Sequence, residues 1–295
     1  MKTPLFTGSS VAIATPMHAD GSVNFGKLGE LIEFQIQGGT SAITICGTTG
    51  ESATLKDDEH LAAIKYTVEK VAGRIPVIAG TGSNDTAHAM EMSKEAAAYG
   101  ADGILLVTPY YNKCTPKGLI QHYTKIVDAA GIPAILYNVP SRTGVSSTVA
   151  VYRELSAHPL VNGVKEASGD TDIVVRTMAA CGEELNIWSG NDSQIVPFMA
   201  LGAKGIISVA ANIVPDKIAQ IAAACLDGDY PKAAAMQVAY MDLIDALFCE
   251  VNPIPVKTAM NLMGMDVGPL RLPLCEMEDR DLARLKASLA AVKLL

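Results

Sequence analysis

The chain has 295 residues, 49% hydrophobic and 18% charged, so it can bury a sizeable core and does not have a disordered composition. That length suits two domains of about 150 residues or a single α/β barrel of about 250. Its 23 Lys and Arg against 31 Asp and Glu leave a net charge of −8 with no basic run, which argues against a nucleic-acid surface, and no apolar stretch reaches the ~18 residues of a membrane span.

In chain order, strands are predicted at 11–14 (VAIA), 42–45 (AITI), 76–79 (PVIA), 103–107 (GILLV), 133–137 (PAILY), 161–165 (VNGVK), 185–188 (LNIW) and 205–208 (GIIS). Most lack in/out alternation, the mark of parallel strands covered on both faces. Helices fall between them. The first, 25–37, places Leu28, Leu31, Ile32 and Ile36 at helical spacing; the second, 57–71, does so with Leu61, Ile64, Val68 and Val71. Asn84 or Asp85 caps a helix at 85–99, and Thr115-Pro116 opens one that runs to 130. Others are expected at 147–156, 171–181, 193–201 and 215–226. The phrases YGADGILL (99–106) and LGAKGIIS (201–208) each put Gly at a helix end just before a strand.

Eight such alternations predict a (β/α)8 TIM barrel over residues 1–227. An open doubly wound sheet would carry a G-x-G-x-x-G turn after the first strand, where TPMHADGS stands instead. Residues 228–295 read as a C-terminal helical extension packed on the barrel, with helices at 230–249, 256–263 and 277–293.

The six cysteines, Cys46, Cys114, Cys181, Cys225, Cys249 and Cys275, are unevenly spaced without a C-x-x-C pair. They read as small buried hydrophobes in a reducing cytoplasm. The first ten residues, MKTPLFTGSS, lack the apolar core of a cleavable signal. The five histidines show no metal-ligand spacing, so no metal site is expected.

Barrel chemistry sits where strands end. After the second strand, GTTGE gives two glycines for close backbone approach, with two hydroxyls and free N–H groups for a carboxylate or phosphate; an ordinary tight loop has the same composition. After the fourth stand Tyr110 and Tyr111, which also suit packing or an interface. The fifth ends at Tyr137, able to pass protons, and leads to Arg142, able to grip a carboxylate. The sixth ends at Lys165. An exposed lysine would mean little there, but a desolvated one loses its proton readily and becomes a nucleophile toward a ketone.

Together, GTTGES (47–52), TPYYNK (108–113), YNVPSRTG (137–144), GVKEASGD (163–170) and GIISVAAN (205–212) resemble the dihydrodipicolinate synthase family of pyruvate-dependent class I aldolases, in order and at its spacing. The resemblance implies that pyruvate forms a Schiff base with Lys165 and that its enamine attacks the aldehyde of L-aspartate 4-semialdehyde. Cyclisation then gives 4-hydroxy-tetrahydrodipicolinate, for lysine and diaminopimelate synthesis. It implies that Tyr137 is the acid/base, linked through Thr48 to Tyr111 of a neighbouring subunit. Thr49 would hold the pyruvate carboxylate, Ile207 would contact pyruvate, and Arg142 would bind the second substrate's carboxylate. A homotetramer, a dimer of dimers, is implied, with no metal or organic cofactor.

The family's allosteric lysine site maps onto Ser52, Ala53, Asp57, His60, Asn84, His88 and Tyr110. Lysine-sensitive members carry Glu at His88 and His at Asp57, so weak or absent lysine inhibition is expected here. The same barrel and lysine serve N-acetylneuraminate lyase and 2-keto-3-deoxy-sugar-acid aldolases. Arg142 favours a short substrate carrying its own carboxylate over a sugar tail. A non-catalytic pyruvate or lysine sensor would have lost Lys165, Tyr137 or Arg142, and all three are present.

Overall fold

Apolar runs without alternation need cover on both faces, and this chain supplies it by closing its sheet and surrounding it with helices. In the computed structural model, which describes residues 2–295, β1 (Gly8–Ala12), β2 (Ala42–Ile45), β3 (Val77–Gly80), β4 (Gly103–Val107), β5 (Ala134–Asn138), β6 (Val161–Glu166), β7 (Asn186–Ser189) and β8 (Gly205–Ser208) form a closed barrel. All pairings are parallel, and Ser10 on β1 stands opposite both Ala42 on β2 and Ile207 on β8, which shuts the ring. This is the (β/α)8 barrel that the alternation implies.

The strand limits depart from expectation where the signal is not apolar. β1 begins at Gly8 and ends at Ala12, not at 11–14. Ser9 and Ser10 carry no hydrophobic signal, yet both are buried, and the Ser10 hydroxyl shares a 2.9 Å hydrogen bond with that of Thr44 inside the barrel. β3 and β5 start one residue late because Pro76 and Pro133 have no N–H to give to a ladder. Their carbonyls still accept from Ile43 and Ile104, both at 2.9 Å.

Outside lie helices Phe25–Gln37, Asp57–Val71, Thr86–Ala98, Pro116–Ala130, Val149–Ser156, Thr171–Cys181, Ile195–Ala200 and Pro215–Leu226. The third is capped by Asp85, whose carboxylate accepts from Ala87 N–H at 2.9 Å. An extra single turn, Pro140–Thr143, follows β5. The helix expected at 230–249 is two helices, Tyr230–Ala239 and Met241–Ala246, broken at Tyr240. The break lets the first half pack on helices Ile195–Ala200 and Pro215–Leu226 while the second packs on Asp279–Ala291.

The two mouths of the barrel are closed differently. At the amino end, Phe6 stacks on Trp188 with ring centroids 5.1 Å apart. At the carboxyl end, the segment after Asn252 folds back over the loop that follows β2. Lys257, on helix Ile254–Leu262, meets Glu51 at 2.7 Å with both side chains at 1% exposure, and Arg271 pairs with Glu59 at 2.6 Å. A buried pair of this kind contributes little net stability over an apolar substitute but is costly to break, so it holds the loop in one place. No helix is long and apolar enough to cross a membrane among the described residues.

Candidate active site

Residues two apart on a strand share a face, and the barrel register sets Tyr137, Lys165 and Trp188 side by side on β5, β6 and β7. Lys165 is 5% exposed, with its Nζ 4.4 Å from the centre of the Tyr137 ring. Burial pushes its ammonium down to about 8; buried Asp192 opposes this, and the Arg142 charge adds to it. Burial also raises the Tyr137 phenol, countered by Arg142 and by a hydrogen bond with Thr48. Two glycines make the room. A Cβ on Gly163 would come within 2.6 Å of the Trp188 ring, and one on Gly190 within 3.2 Å of Lys165 Cε. Ile207 is fully buried in the same interior cluster as Tyr137 and Trp188.

Polar groups behind the strands hold this floor. The Glu166 carboxylate accepts from Asn138 Nδ2 at 2.9 and 3.1 Å, from Tyr152 OH at 3.0 Å and from Ser168 N–H at 2.8 Å. Because Asn138 and Glu166 follow Tyr137 and Lys165 in sequence, the bond between them ties the two chemical residues together. Asp192 accepts from the Ser208 hydroxyl and from the N–H groups of Val209 and Ala210.

Above the floor, Thr48–Gly50 forms a 3₁₀ turn, and Thr49 is buried with its hydroxyl accepting from Asn252 Nδ2 at 3.1 Å. Arg142 stands exposed on the turn Pro140–Thr143, its Nη2 donating to the Asn252 carbonyl at 2.9 Å. A cavity of about 490 Å³ opens here. Its lining brings Thr48, Val139, Arg142 and Asn252 together with Ser52, Ala53, Asp57, His60, His88 and Tyr110, while Lys165, Tyr137, Thr49 and Ile207 are not among its lining residues. Asn84 is not on its wall; the Asn84 carbonyl accepts from Asn112 Nδ2 at 3.0 Å.

The rim is open. Tyr111 is 92% exposed, with a left-handed φ of 66°, and is not brought to Tyr137 within one chain. His88 and Asp57, the two departures from the lysine-sensitive pattern, pair with each other at 3.0 Å. His60 faces the Gly80 carbonyl at 2.7 Å, and burial lowers its pKa. No group of three potential metal-ligating side chains occurs among the described residues.

Reading strand ends did not find Asp192 or Asn252. Asp192 lies in SGND after β7, a loop with no motif that points to chemistry. Asn252 lies far beyond the last strand and carries no local motif.

A family model, the Dihydrodipicolinate synthetase family, matches residues 5–292. The chain is 58% identical over 293 residues to the 4-hydroxy-tetrahydrodipicolinate synthase of a Thermoanaerobacter species, an alignment covering 99% of this chain and 98% of that one. Among solved structures, the dihydrodipicolinate synthase of Aquifex aeolicus superposes with a TM-score of 0.96 at 43% identity, covering 98% of this chain and 99% of the other. The Cyanidioschyzon merolae enzyme, solved with lysine bound, also superposes at 0.96, with 36% identity and coverage of 99% and 100%.

Proposed function

This chain belongs to the dihydrodipicolinate synthetase family, and on that premise we propose how its residues divide the work of the reaction. The enzyme is a lyase that condenses pyruvate with L-aspartate 4-semialdehyde to give 4-hydroxy-tetrahydrodipicolinate, in lysine and diaminopimelate biosynthesis.

The neutral Lys165 amine attacks the pyruvate ketone, and loss of water leaves an iminium. Tyr137 passes the protons of that step and takes one from the pyruvate methyl to form the enamine. The enamine carbon attacks the aldehyde, whose oxygen receives a proton from the Tyr137 side. The substrate's own amino group then closes the ring on the iminium carbon and displaces Lys165. Thr49 and its backbone N–H hold the pyruvate carboxylate against Ile207, and Arg142 holds the second substrate's carboxylate by a charge-assisted pair. The observation that carries this reading is Lys165 itself: a buried strand-end amine, brought down to about 8, against the Tyr137 ring.

Tyr111 completes the Thr48–Tyr137 proton path from a second subunit. Its exposure and left-handed backbone fit a residue presented to a partner. The assembly is a homotetramer, a dimer of dimers, working in the cytoplasm. Residues 228–295 act as an extension of the 1–227 barrel, not as an independent domain. In this cavity His88 stands where lysine-sensitive members carry Glu and pairs with Asp57, so the fixed charge that would meet a lysine ammonium at position 88 is missing and lysine inhibits weakly or not at all.

Borohydride reduction with pyruvate, followed by peptide mass spectrometry, tests the central step. The adduct is expected on Lys165, with ring formation on adding L-aspartate 4-semialdehyde. An adduct on another lysine, or none, overturns the assignment.

A further inference from the structure

The cavity wall takes Asn252, Pro253, Pro273 and Leu274 from outside the barrel, and the mechanism above gives the one amide among them, Asn252, no role. Asn252, just ahead of helix Ile254–Leu262, is 6% exposed and touches both carboxylate-binding groups. Its Nδ2–H donates to the Thr49 hydroxyl oxygen at 3.1 Å, and its main-chain carbonyl accepts from Arg142 Nη2 at 2.9 Å. The other end of the amide, Oδ1, is buried without a hydrogen-bond partner among the described residues.

A buried amide with only its donor end engaged is held at a cost. What that cost sustains is the polarity of Thr49. A hydroxyl has one proton and two acceptor sites. With an acceptor site taken by Asn252, the Thr49 proton is free to be donated. An amide turned the other way would take that proton and leave lone pairs facing an incoming carboxylate.

We propose that Asn252 is a positioning residue: its amide holds Thr49 as a donor to the pyruvate carboxylate, while its main chain holds Arg142 at the carboxylate of the second substrate. This rests on the roles given above to Thr49 and Arg142. The two arms respond differently to substitution. A side-chain change strikes the Thr49 arm directly and leaves the backbone contact to Arg142 in place. The loop itself is pinned separately by Lys257 and Glu51, so it does not depend on the Asn252 side chain.

Asn252→Asp tests this, because a carboxylate of the same shape can only accept and so takes the Thr49 proton. The KM for pyruvate is expected to rise about ten-fold or more, with a smaller rise for L-aspartate 4-semialdehyde, and the buried charge is expected to lower the thermal midpoint as well. Asn252→Ala, which removes the donor without adding charge, should shift the pyruvate KM in the same direction by less, and it carries the test if the Asp variant fails to fold. In a Thr49→Val background, Asn252→Asp should add little, since the two residues act as one. An unchanged pyruvate KM, equal rises for both substrates, or additive effects with Thr49→Val overturn the proposal. If the wild type forms the Lys165 adduct and the pyruvate KM of the variants stays put, only this proposal fails. If the wild type forms no adduct, the reading of the reaction fails first.

Discussion

The floor and the rim of this site are built on opposite principles. The floor, with Lys165, Tyr137, Trp188 and Ile207, is buried, held in strand register and braced from behind by Glu166 and Asn138. Burial sets its character, since it takes the lysine amine down to about 8. The rim, with Tyr111 and the Asp57–His88 pair, is exposed and held by few contacts. Exposed groups like these are open to whatever covers them. The floor is therefore set within one chain, whereas the proposed roles of the rim depend on a partner or ligand.

Lys165→Ala is the sharpest test of the floor and should have the largest effect. No borohydride-trapped pyruvate adduct should form, and turnover should be almost lost. A substantial residual rate would mean that the floor is not where the covalent step occurs.

Tyr111→Phe tests whether the rim belongs to catalysis. Loss of a proton path should lower kcat by about a hundred-fold while the fold and the Lys165 adduct survive. Mixing Tyr111→Phe subunits with Lys165→Ala subunits should restore part of the activity, because one site of a mixed dimer is intact. Verified subunit exchange without any recovery would put the whole site back in one chain.

Arg142→Ala separates the two substrates. A charge-assisted contact of roughly 1.5–3 kcal/mol is lost, so use of L-aspartate 4-semialdehyde should weaken about ten-fold or more. Pyruvate adduct formation should be nearly normal; an equal loss for pyruvate would assign the guanidinium to the floor.

The titration of Lys165 gives a pH signature. Its lysine is lowered, and the neutral form is the nucleophile, so adduct formation at limiting pyruvate should climb as pH rises toward about 8 and level off above it. Between pH 7 and 9 the gain should be about ten-fold. A profile still climbing at pH 10 would show that burial does not tune this amine.

The smallest effect is expected at the rim. Wild-type enzyme should show little inhibition by sub-millimolar lysine with both substrates near half-saturation. His88→Glu frees Asp57 and adds a fixed negative charge, and it should increase lysine sensitivity about ten-fold. Strong inhibition of the wild type would show that Asp57 serves lysine despite its pairing with His88.

The sequence by itself determined the architecture, because eight apolar runs separated by helical periodicity leave few ways to bury both faces of a sheet. It placed β2, β4 and β8 at their observed limits, and it brought out Lys165 and Tyr137 at strand ends and Arg142 in the loop after the fifth strand. It mistook the start of β1, where Ser9 and Ser10 are buried without an apolar signal, and it ran one helix through Tyr240. Tertiary structure alone decided how deep Lys165 lies, since desolvation depends on Trp188, Tyr137 and two glycines drawn from separate strands and loops. It alone paired Asp57 with His88 across two helices, and it alone delivered Asn252 to Thr49 from 203 residues away. Local periodicity records which face of an element is apolar. Which polar groups meet inside the barrel depends on chain closure over long sequence separations, and no local pattern carries that information.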